Sequence, residues 1–285
     1  MGLGYMDSLG KWWPGCARCL RYLFSALISI IMNHLSILLL LFAAFVGCSQ
    51  ENETLDYDPT LDSPANPVPL PSIVEELDGP HLNDSGTYYY LALGDSYTKG
   101  ESVERAKSFP FQLAGKLEQG PKVEIKTEVL AQTGWTTSNL LDALNNGTNR
   151  TAYDLVTLLI GVNNQYQGKS YNIYTREFSQ LLDRAVALAY GNPKNVVVIS
   201  IPDYAYTPFA EGRDRSRISE EIDEYNAHAK SVALQKGVPF LNITNITRNG
   251  LSNPELVAID GLHPSAEAYR AFVDVLYPMI LPIFE

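Results

Sequence analysis

The chain has 285 residues, of which 46% are hydrophobic and 19% are charged, so it is long enough and apolar enough to bury a sizeable core. Its formal net charge is -11, and no stripe of lysine and arginine interrupts the acidic surplus. Nucleic-acid binding requires a basic patch, so that class of function is not expected. The acidic surplus favours solubility instead.

The first 47 residues have the pattern of a secretory signal. Basic residues precede a long apolar run at 22–47, and the composition turns polar and acidic directly after Cys48. The segment resembles a bacterial lipoprotein signal, although Phe45 stands where leucine is usual, and this resemblance implies that Cys48 becomes the lipidated first residue. The chain starts at Met1 or at Met32. An uncleaved membrane anchor is the alternative, because the run approaches the ~20 apolar residues that span a bilayer.

Either alternative places the remaining residues outside the cytoplasm, in the periplasm or at the cell surface. Cys16 and Cys19 have C-x-x-C spacing, but they precede the apolar run and no second pair follows, so no metal site is expected. After cleavage Cys48 is the only cysteine left, and no intramolecular disulfide is expected. Residues 48–86 are rich in proline and acidic residues, which predicts an extended tether.

Apolar runs and helical patterns alternate from residue 87 to residue 285, which predicts a single α/β domain with a parallel sheet and helices on both faces. A first strand runs into Gly94. Further strands are predicted at 123–131, near the sheet edge, at 154–160 and 195–201, in the buried centre, and at 240–243. Helices are predicted at 109–118, 136–144, 174–189, 216–236 and 265–280, the last of them ending near Pro278.

The loops that follow the predicted strands supply the parts of an acyl-transfer site. In an open parallel sheet these loops meet at the carboxyl edge, where ligands bind. They offer the hydroxyl of Ser96, the backbone N–H of Gly134 and the carboxamide of Asn163, and the stretch before the last helix adds Asp260 and His263. Such a site needs a nucleophile, a base with an orienting acid, and donors for the developing oxyanion.

These segments, in this order, resemble the SGNH/GDSL hydrolase family from about Tyr88 to the end of the chain. The resemblance implies a three-layer α/β/α fold with a flavodoxin-like parallel sheet of about five strands. It also implies that Ser96 is the nucleophile, that His263 is the base and that Asp260 is its acid. The implied oxyanion hole comprises the N–H groups of Ser96 and Gly134 and the side chain of Asn163.

Two positions depart from the family pattern. Tyr97 replaces a common leucine, and Asn164 replaces the usual aspartate of the third block, where at most a change in loop hydrogen bonding is expected. Taken singly, each motif has an ordinary alternative, since Gly134 suits any turn, Asn163 any helix cap, and Asp260 a local turn. His228 lies within a predicted helix and is expected to have only a structural role.

The resulting hypothesis is a serine esterase that acts on small-acyl, lysophospholipid or acetylated-glycan esters and needs no cofactor or metal. Tyr97, Trp135 and Tyr166 are candidate substrate contacts, although aromatic packing within the loops explains them equally well. Two alternatives remain open. One is a non-catalytic surface lipoprotein that binds glycans, and the other is an acyltransferase that uses the same residues.

Overall fold

The computed structural model describes residues 86–121 and 123–284. The predicted signal, the lipidation site Cys48 and all but the last residue of the predicted tether lie outside the described residues. Within the part of the chain that is described, no helix is long and apolar enough to cross a membrane.

Five parallel strands form one sheet in the order β2-β1-β3-β4-β5. The strands are β1 (Thr87–Gly94), β2 (Glu124–Ala131), β3 (Leu155–Leu159), β4 (Val196–Ile199) and β5 (Phe240–Leu241). In this doubly wound order the chain adds β2 on one side of β1 and the later strands on the other side. The loops that follow β1 and β3 therefore diverge and leave a crevice between them. The prediction of a flavodoxin-like α/β sheet is confirmed.

Eight α-helices lie between and after the strands in the described residues. They are α1 (Ser96–Lys99), α2 (Phe109–Gln119), α3 (Thr137–Asn145), α4 (Val162–Tyr166), α5 (Tyr171–Leu188), α6 (Arg215–Gln235), α7 (Thr244–Thr247) and α8 (Ala266–Ile280). Short 3₁₀ helices cover Arg105–Lys107, Pro193–Asn195, Tyr204–Tyr206, Pro208–Ala210, Pro254–Leu256 and Leu281–Ile283. On one side of the sheet α2 packs against α8, while α3, α5 and α6 pack in a row.

The burial of each strand follows from its place in the sheet. Every residue of β3 and β4 is buried, because helices cover both faces of these central strands. The edge strand β2 alternates exposed and buried residues at its start, as the sequence predicts for an edge position. Tyr90 on β1 and Thr157 on β3 join their hydroxyl groups at 2.8 Å in the core, which satisfies both groups where water has no access.

The last helix begins one residue later than predicted and ends at Ile280, as predicted. Pro264, directly before the predicted helix, pairs with Val257 in an isolated antiparallel bridge, and Ser265 caps α8 through the N–H of Ala268. The helix also continues past Pro278 to Ile280, whose side chain is buried. Proline removes one helical hydrogen bond, and the burial of Ile280 compensates for that loss.

Candidate active site

Ser96 lies at the sharp turn between β1 and α1. Asp95 caps the short helix by accepting the N–H of Tyr97 at 3.0 Å. Gly94 is required just before it, because a Cβ atom there would lie 2.1 Å from Thr98 Oγ1 and 2.4 Å from the carbonyl oxygen of Leu159. The glycine therefore lets the turn that carries Ser96 pack directly against β3, and Ser96 lies at the carboxyl edge with only 5% of its surface exposed.

The turn after β2 presents Gly134. Trp135 donates its N–H to the carbonyl of Gln132 at 3.2 Å, and Gly134 has a φ of +83° within that turn. An L side chain rarely adopts this conformation, so glycine suits the position. Its carbonyl accepts a hydrogen bond from Gln167 Nε2 at 2.9 Å, which fixes the orientation of the turn.

Asn163 lies in α4, directly after β3. Gly161 precedes it with a φ of +133°, and a Cβ atom there would lie 2.6 Å from the ring of Tyr174, so only glycine fits. The Asn163 side-chain amide donates to the carbonyl of Trp135 at 3.0 Å. One of its two amide hydrogens is used in this bond, and the other is left for a group in the pocket.

Asp260 and His263 lie in a tight loop between β5 and α8. Asp260 Oδ1 accepts the N–H groups of Leu262 at 2.9 Å and of His263 at 3.0 Å, while Oδ2 lies 2.6 Å from His263 Nδ1. The carbonyl of His263 accepts the N–H of Ala258 at 2.7 Å, which closes the loop. Because Nδ1 is bound to the carboxylate, Nε2 is the ring nitrogen available to the pocket.

The Asp260 carboxyl is strongly biased toward its charged form. Partial burial acts to raise its pKa, but hydrogen bonds from Ser102, from His263 and from two backbone N–H groups outweigh burial and hold the pKa well below its usual range. The side chain is 29% exposed, so solvent weakens these interactions. The carboxylate nevertheless stays ionised at neutral pH, as an acid that orients an imidazole requires.

A pocket of about 320 Å³ brings together the predicted catalytic and oxyanion-hole residues except Asp260, which reaches the pocket only through its bond to His263. Its lining includes Ser96, Tyr97, Gly134, Asn163, Tyr166 and His263. The ring of Tyr97 lies 5.3 Å from that of His263 and so forms part of the wall behind the imidazole. No hydrogen bond joins Ser96 Oγ to His263 Nε2 among the described residues.

Two of the aromatic candidates line the pocket and one does not. Tyr97 and Tyr166 contribute to the lining, whereas Trp135 packs against the core and serves Asn163 through its backbone carbonyl. His228 lies in α6 with Nε2 3.2 Å from the carbonyl of Thr175, which gives it the structural role that the sequence predicts. In the described part of the chain, no cluster of three or more His, Cys, Asp or Glu side chains is arranged to hold a metal ion.

The structure adds pocket residues for which the sequence holds no specific signal. Phe209 and Leu262 line the apolar side, and Tyr204 joins them while its hydroxyl donates to Gln165 Oε1 at 3.0 Å. The positions of Tyr204 and Phe209 depend on the irregular segment after β4, where no hydrophobic periodicity indicates which side chain faces inward. Tyr204 follows β4 closely, and this position is the one feature of the sequence that indicates a place near the pocket.

Comparisons with known proteins agree with the fold and with the family that the sequence resembles. Residues 92–271 match the model of the GDSL-like Lipase/Acylhydrolase family. The structure of TesA is similar, with a TM-score of 0.54 and 17% sequence identity, covering 68% of this chain and 99% of that chain. No curated protein matches the sequence significantly.

Two further solved structures have the same fold. The acetylxylan esterase Axe2 from Geobacillus stearothermophilus has a TM-score of 0.52 and 18% identity, covering 69% of this chain and 94% of that chain. The lipase/acylhydrolase from Enterococcus faecalis has a TM-score of 0.52 and 20% identity, with coverages of 68% and 95%. At such identities the likeness demonstrates the fold, and the family match comes from the sequence.

Proposed function

Because the chain belongs to the GDSL-like lipase/acylhydrolase family, and is thus a hydrolase that acts on esters, we propose that it is a serine esterase that forms an acyl-enzyme on Ser96. One observation carries the proposal. Ser96, Gly134, Asn163 and His263 line one pocket, and Asp260 holds His263 Nδ1 at 2.6 Å.

In the first half of the reaction, His263 Nε2 accepts the proton of the Ser96 hydroxyl as Oγ bonds to the ester carbonyl carbon. The carbonyl electron pair moves to oxygen, and Asp260 stabilises the imidazolium that forms. Collapse of the tetrahedral intermediate expels the alkoxide, which leaves as an alcohol with the proton from His263. Since no hydrogen bond joins Ser96 Oγ to His263 Nε2 in the described residues, the two side chains must approach when the ester binds.

In the second half, His263 takes a proton from water, whose oxygen attacks the acyl carbon and releases the acid. Ser96 recovers its proton from the imidazolium, so the enzyme returns to its starting state. In both halves the negative oxygen is stabilised by the N–H groups of Ser96 and Gly134 and by the second amide hydrogen of Asn163. Donors fixed before the reaction stabilise the transition state without the cost of reorganisation.

The pocket supports small esters as substrates. Its volume of about 320 Å³ lies at the low end of the range of roughly 300–1,000 Å³ for ligand pockets. Tyr166, Tyr204 and Phe209 form an aromatic wall with ring centroids about 6 Å apart. This wall suits a short acyl chain, a lysophospholipid chain end or the face of an acetylated sugar, and the small volume favours a short acyl group.

The test is hydrolysis of p-nitrophenyl acetate, butyrate and octanoate by the full-length protein and its variants. We expect Ser96→Ala and His263→Gln to lower kcat by roughly 10⁴-fold or more, because the nucleophile or the base is lost. His228→Gln is the matched control and should keep full activity, since His228 contacts only structural partners. Hydrolysis by Ser96→Ala at the wild-type rate would contradict the proposal. The dependence of the wild-type rate on acyl-chain length would indicate the size of the pocket.

The same esters and proteins distinguish two other activities. Transfer of the acyl group to an acceptor alcohol uses the same residues and would appear as a new ester when the alcohol is added. A glycan-binding protein without catalysis would release no nitrophenol from any of the three esters.

For the location of the protein, we propose a lipoprotein anchored through Cys48 outside the cytoplasm. The basic residues, the apolar run at 22–47 and the cysteine that follows it support this proposal. Incorporation of labelled palmitate into the wild type but not into Cys48→Ala would support lipidation. Retention of residues 1–47 in the mature protein, measured by mass spectrometry, would indicate an uncleaved anchor instead.

A further inference from the structure

Ser102, in the loop after α1, contacts the proposed catalytic acid. Its hydroxyl donates to Asp260 Oδ2 at 2.5 Å, across 158 residues of sequence. The same oxygen lies 2.6 Å from His263 Nδ1. Ser102 and His263 therefore bind one carboxylate oxygen from two different segments of the chain.

The other hydrogen bonds described for Asp260 are all within its own loop. Oδ1 accepts backbone N–H groups from Leu262 and His263, two and three residues further along the chain. These bonds fix the carboxylate relative to its own turn, but they do not fix that turn relative to Ser96. Among the hydrogen bonds that the structure describes for the Asp260 side chain, only the one from Ser102 comes from the segment that carries the nucleophile.

The loop that presents Ser102 is itself firmly held. Glu101 donates its N–H to the carbonyl of Ser96 at 3.0 Å. The Glu101 carboxylate accepts hydrogen bonds from the hydroxyl of Thr133, next to Gly134, and from Lys99 Nζ at 3.0 Å. One short loop thus connects the nucleophile turn to the segments that present Gly134 and Asp260.

Ser102 also has an unfavourable backbone conformation. Its φ is +65°, in the left-handed region that a residue with a side chain rarely adopts. Glycine would adopt this conformation with less strain, so the backbone gives no reason for a serine here. A strained residue at the edge of a site suggests that its side chain has a function.

We propose that Ser102 is a positioning residue that holds Asp260, and through it His263, in register with the nucleophile Ser96. The inference rests on the catalytic roles proposed above for these three residues. Ser102 is exposed and the Asp260 side chain is 29% exposed, so their hydrogen bond contributes little to folding stability. Its effect is on the geometry of the imidazole and therefore on the rate of proton transfer.

The test compares Ser102→Gly and Ser102→Ala with the wild type as full-length proteins. Both variants lose a hydrogen bond to a charged group. Because this bond affects proton transfer and not the binding of the ester, its loss should lower kcat about tenfold and leave KM unchanged. Ser102→Gly should unfold at the same temperature as the wild type or higher, because it relieves the left-handed strain. Ser252→Ala, which removes an exposed hydroxyl bonded only to the carbonyl of Asn249, is the matched control and should keep its activity.

A double-mutant cycle shows whether Ser102 acts through Asp260. In an Asp260→Asn background, Ser102→Gly should cause no further loss of kcat, because the carboxylate that it positions is already gone. An equal loss in both backgrounds would overturn the proposal. Full activity of Ser102→Gly in the otherwise wild-type chain would overturn it too.

Proton NMR separates this inference from the esterase proposal. The His263 Nδ1 proton, bound to a carboxylate, should give a resonance far downfield that is absent from His263→Gln. In Ser102→Gly we expect this resonance to shift or to broaden beyond detection. An unchanged resonance would overturn the positioning role, whereas a wild type without esterase activity would contradict only the proposed function.

Discussion

Asp95 accepts the backbone N–H of Tyr97 at 3.0 Å through Oδ1, while Oδ2 of the same carboxyl is buried with no hydrogen-bond partner among the described residues. The side chain is fully buried directly beside the proposed nucleophile. Burial raises the pKa of Asp95 to about 7, and the bond from Tyr97 only partly opposes that shift. The carboxyl beside Ser96 is therefore largely neutral only below about pH 7.

This carboxyl should make stability depend on pH. The unfolded group ionises near pH 4, whereas the folded group keeps its proton until about pH 7, so its contribution to stability is full below pH 4 and falls as the pH rises to 7. Between pH 4 and pH 7 we expect the unfolding free energy of Asp95→Asn to rise relative to that of the wild type by up to about 4 kcal/mol. Urea unfolding at pH 4 to 8 measures this difference, and an exposed control, Asp142→Asn, should show no such trend. Parallel curves for Asp95→Asn and the wild type would contradict the prediction.

Asn163→Ala tests the proposed oxyanion hole. The variant loses the pocket-facing amide and the hydrogen bond to the carbonyl of Trp135. Loss of one oxyanion donor typically lowers kcat by about 10²–10³-fold, with little effect on KM. Steady-state kinetics on p-nitrophenyl acetate, with circular dichroism to verify folding, measures both quantities. A folded variant with near-full activity would rule out the assigned role.

Asn164, which replaces the family's usual aspartate, belongs to a buried network with Thr137 and Glu177. Its amide donates to Thr137 Oγ1 at 2.7 Å, and the Thr137 hydroxyl donates to Glu177 Oε2 at 2.6 Å. The Asn164 side-chain oxygen accepts the Thr137 N–H at 3.0 Å. The network joins the segments that carry Asn163 and Gly134 to α5.

Because Thr137 has a single hydroxyl hydrogen, Asn164→Asp would place two carboxylates in competition for it. We expect this variant to lose about 2 kcal/mol or more of unfolding free energy. Adding Glu177→Gln should restore most of the lost unfolding free energy. The glutamine amide can donate to Thr137, and the Thr137 hydroxyl can then donate to the new carboxylate at position 164. Denaturant unfolding of both single variants and the double variant measures the coupling, and purely additive losses would disprove it.

Two glycines should respond oppositely to alanine. Gly115 lies inside α2, where an added Cβ atom would meet nothing within 4 Å, so Gly115→Ala should raise the unfolding free energy by about 0.5–1 kcal/mol. Gly94→Ala would push a methyl group against Thr98 and the backbone of Leu159, and we expect it to fold poorly. Thermal unfolding compares the two variants, and equal melting temperatures would show that the turn between β1 and α1 can accommodate the methyl group.

Much of this arrangement follows from the sequence because its signals are local. The apolar runs of β3 and β4 identify central strands, and parallel strands bring the residues at their carboxyl ends to one edge. The Asp260–His263 pair is likewise local, since both ends of its hydrogen bond lie in one tight turn. Short-range patterns of this kind are visible without a structure.

The remaining features depend on contacts between distant segments. Ser102 is an ordinary loop serine by sequence, and its bond to Asp260 depends on a left-handed φ that no motif indicates. The network around Asn164 extends through Thr137 to Glu177, whose burial in α5 is unexpected for a charged residue. Proline is common at the start of a helix, but Pro264 lies outside α8 because it pairs with Val257 in a β-bridge.

The direction of the parallel sheet has a practical consequence for handling this enzyme. β1 begins at Thr87 and ends beside the pocket, so the point where upstream residues join the domain lies one strand length away, roughly 26 Å at about 3.3 Å per residue. A support, a fusion partner or an affinity matrix joined directly to Thr87 is thus attached at the opposite edge of the sheet. Immobilisation from that end leaves the pocket mouth open to bulky, slowly diffusing esters.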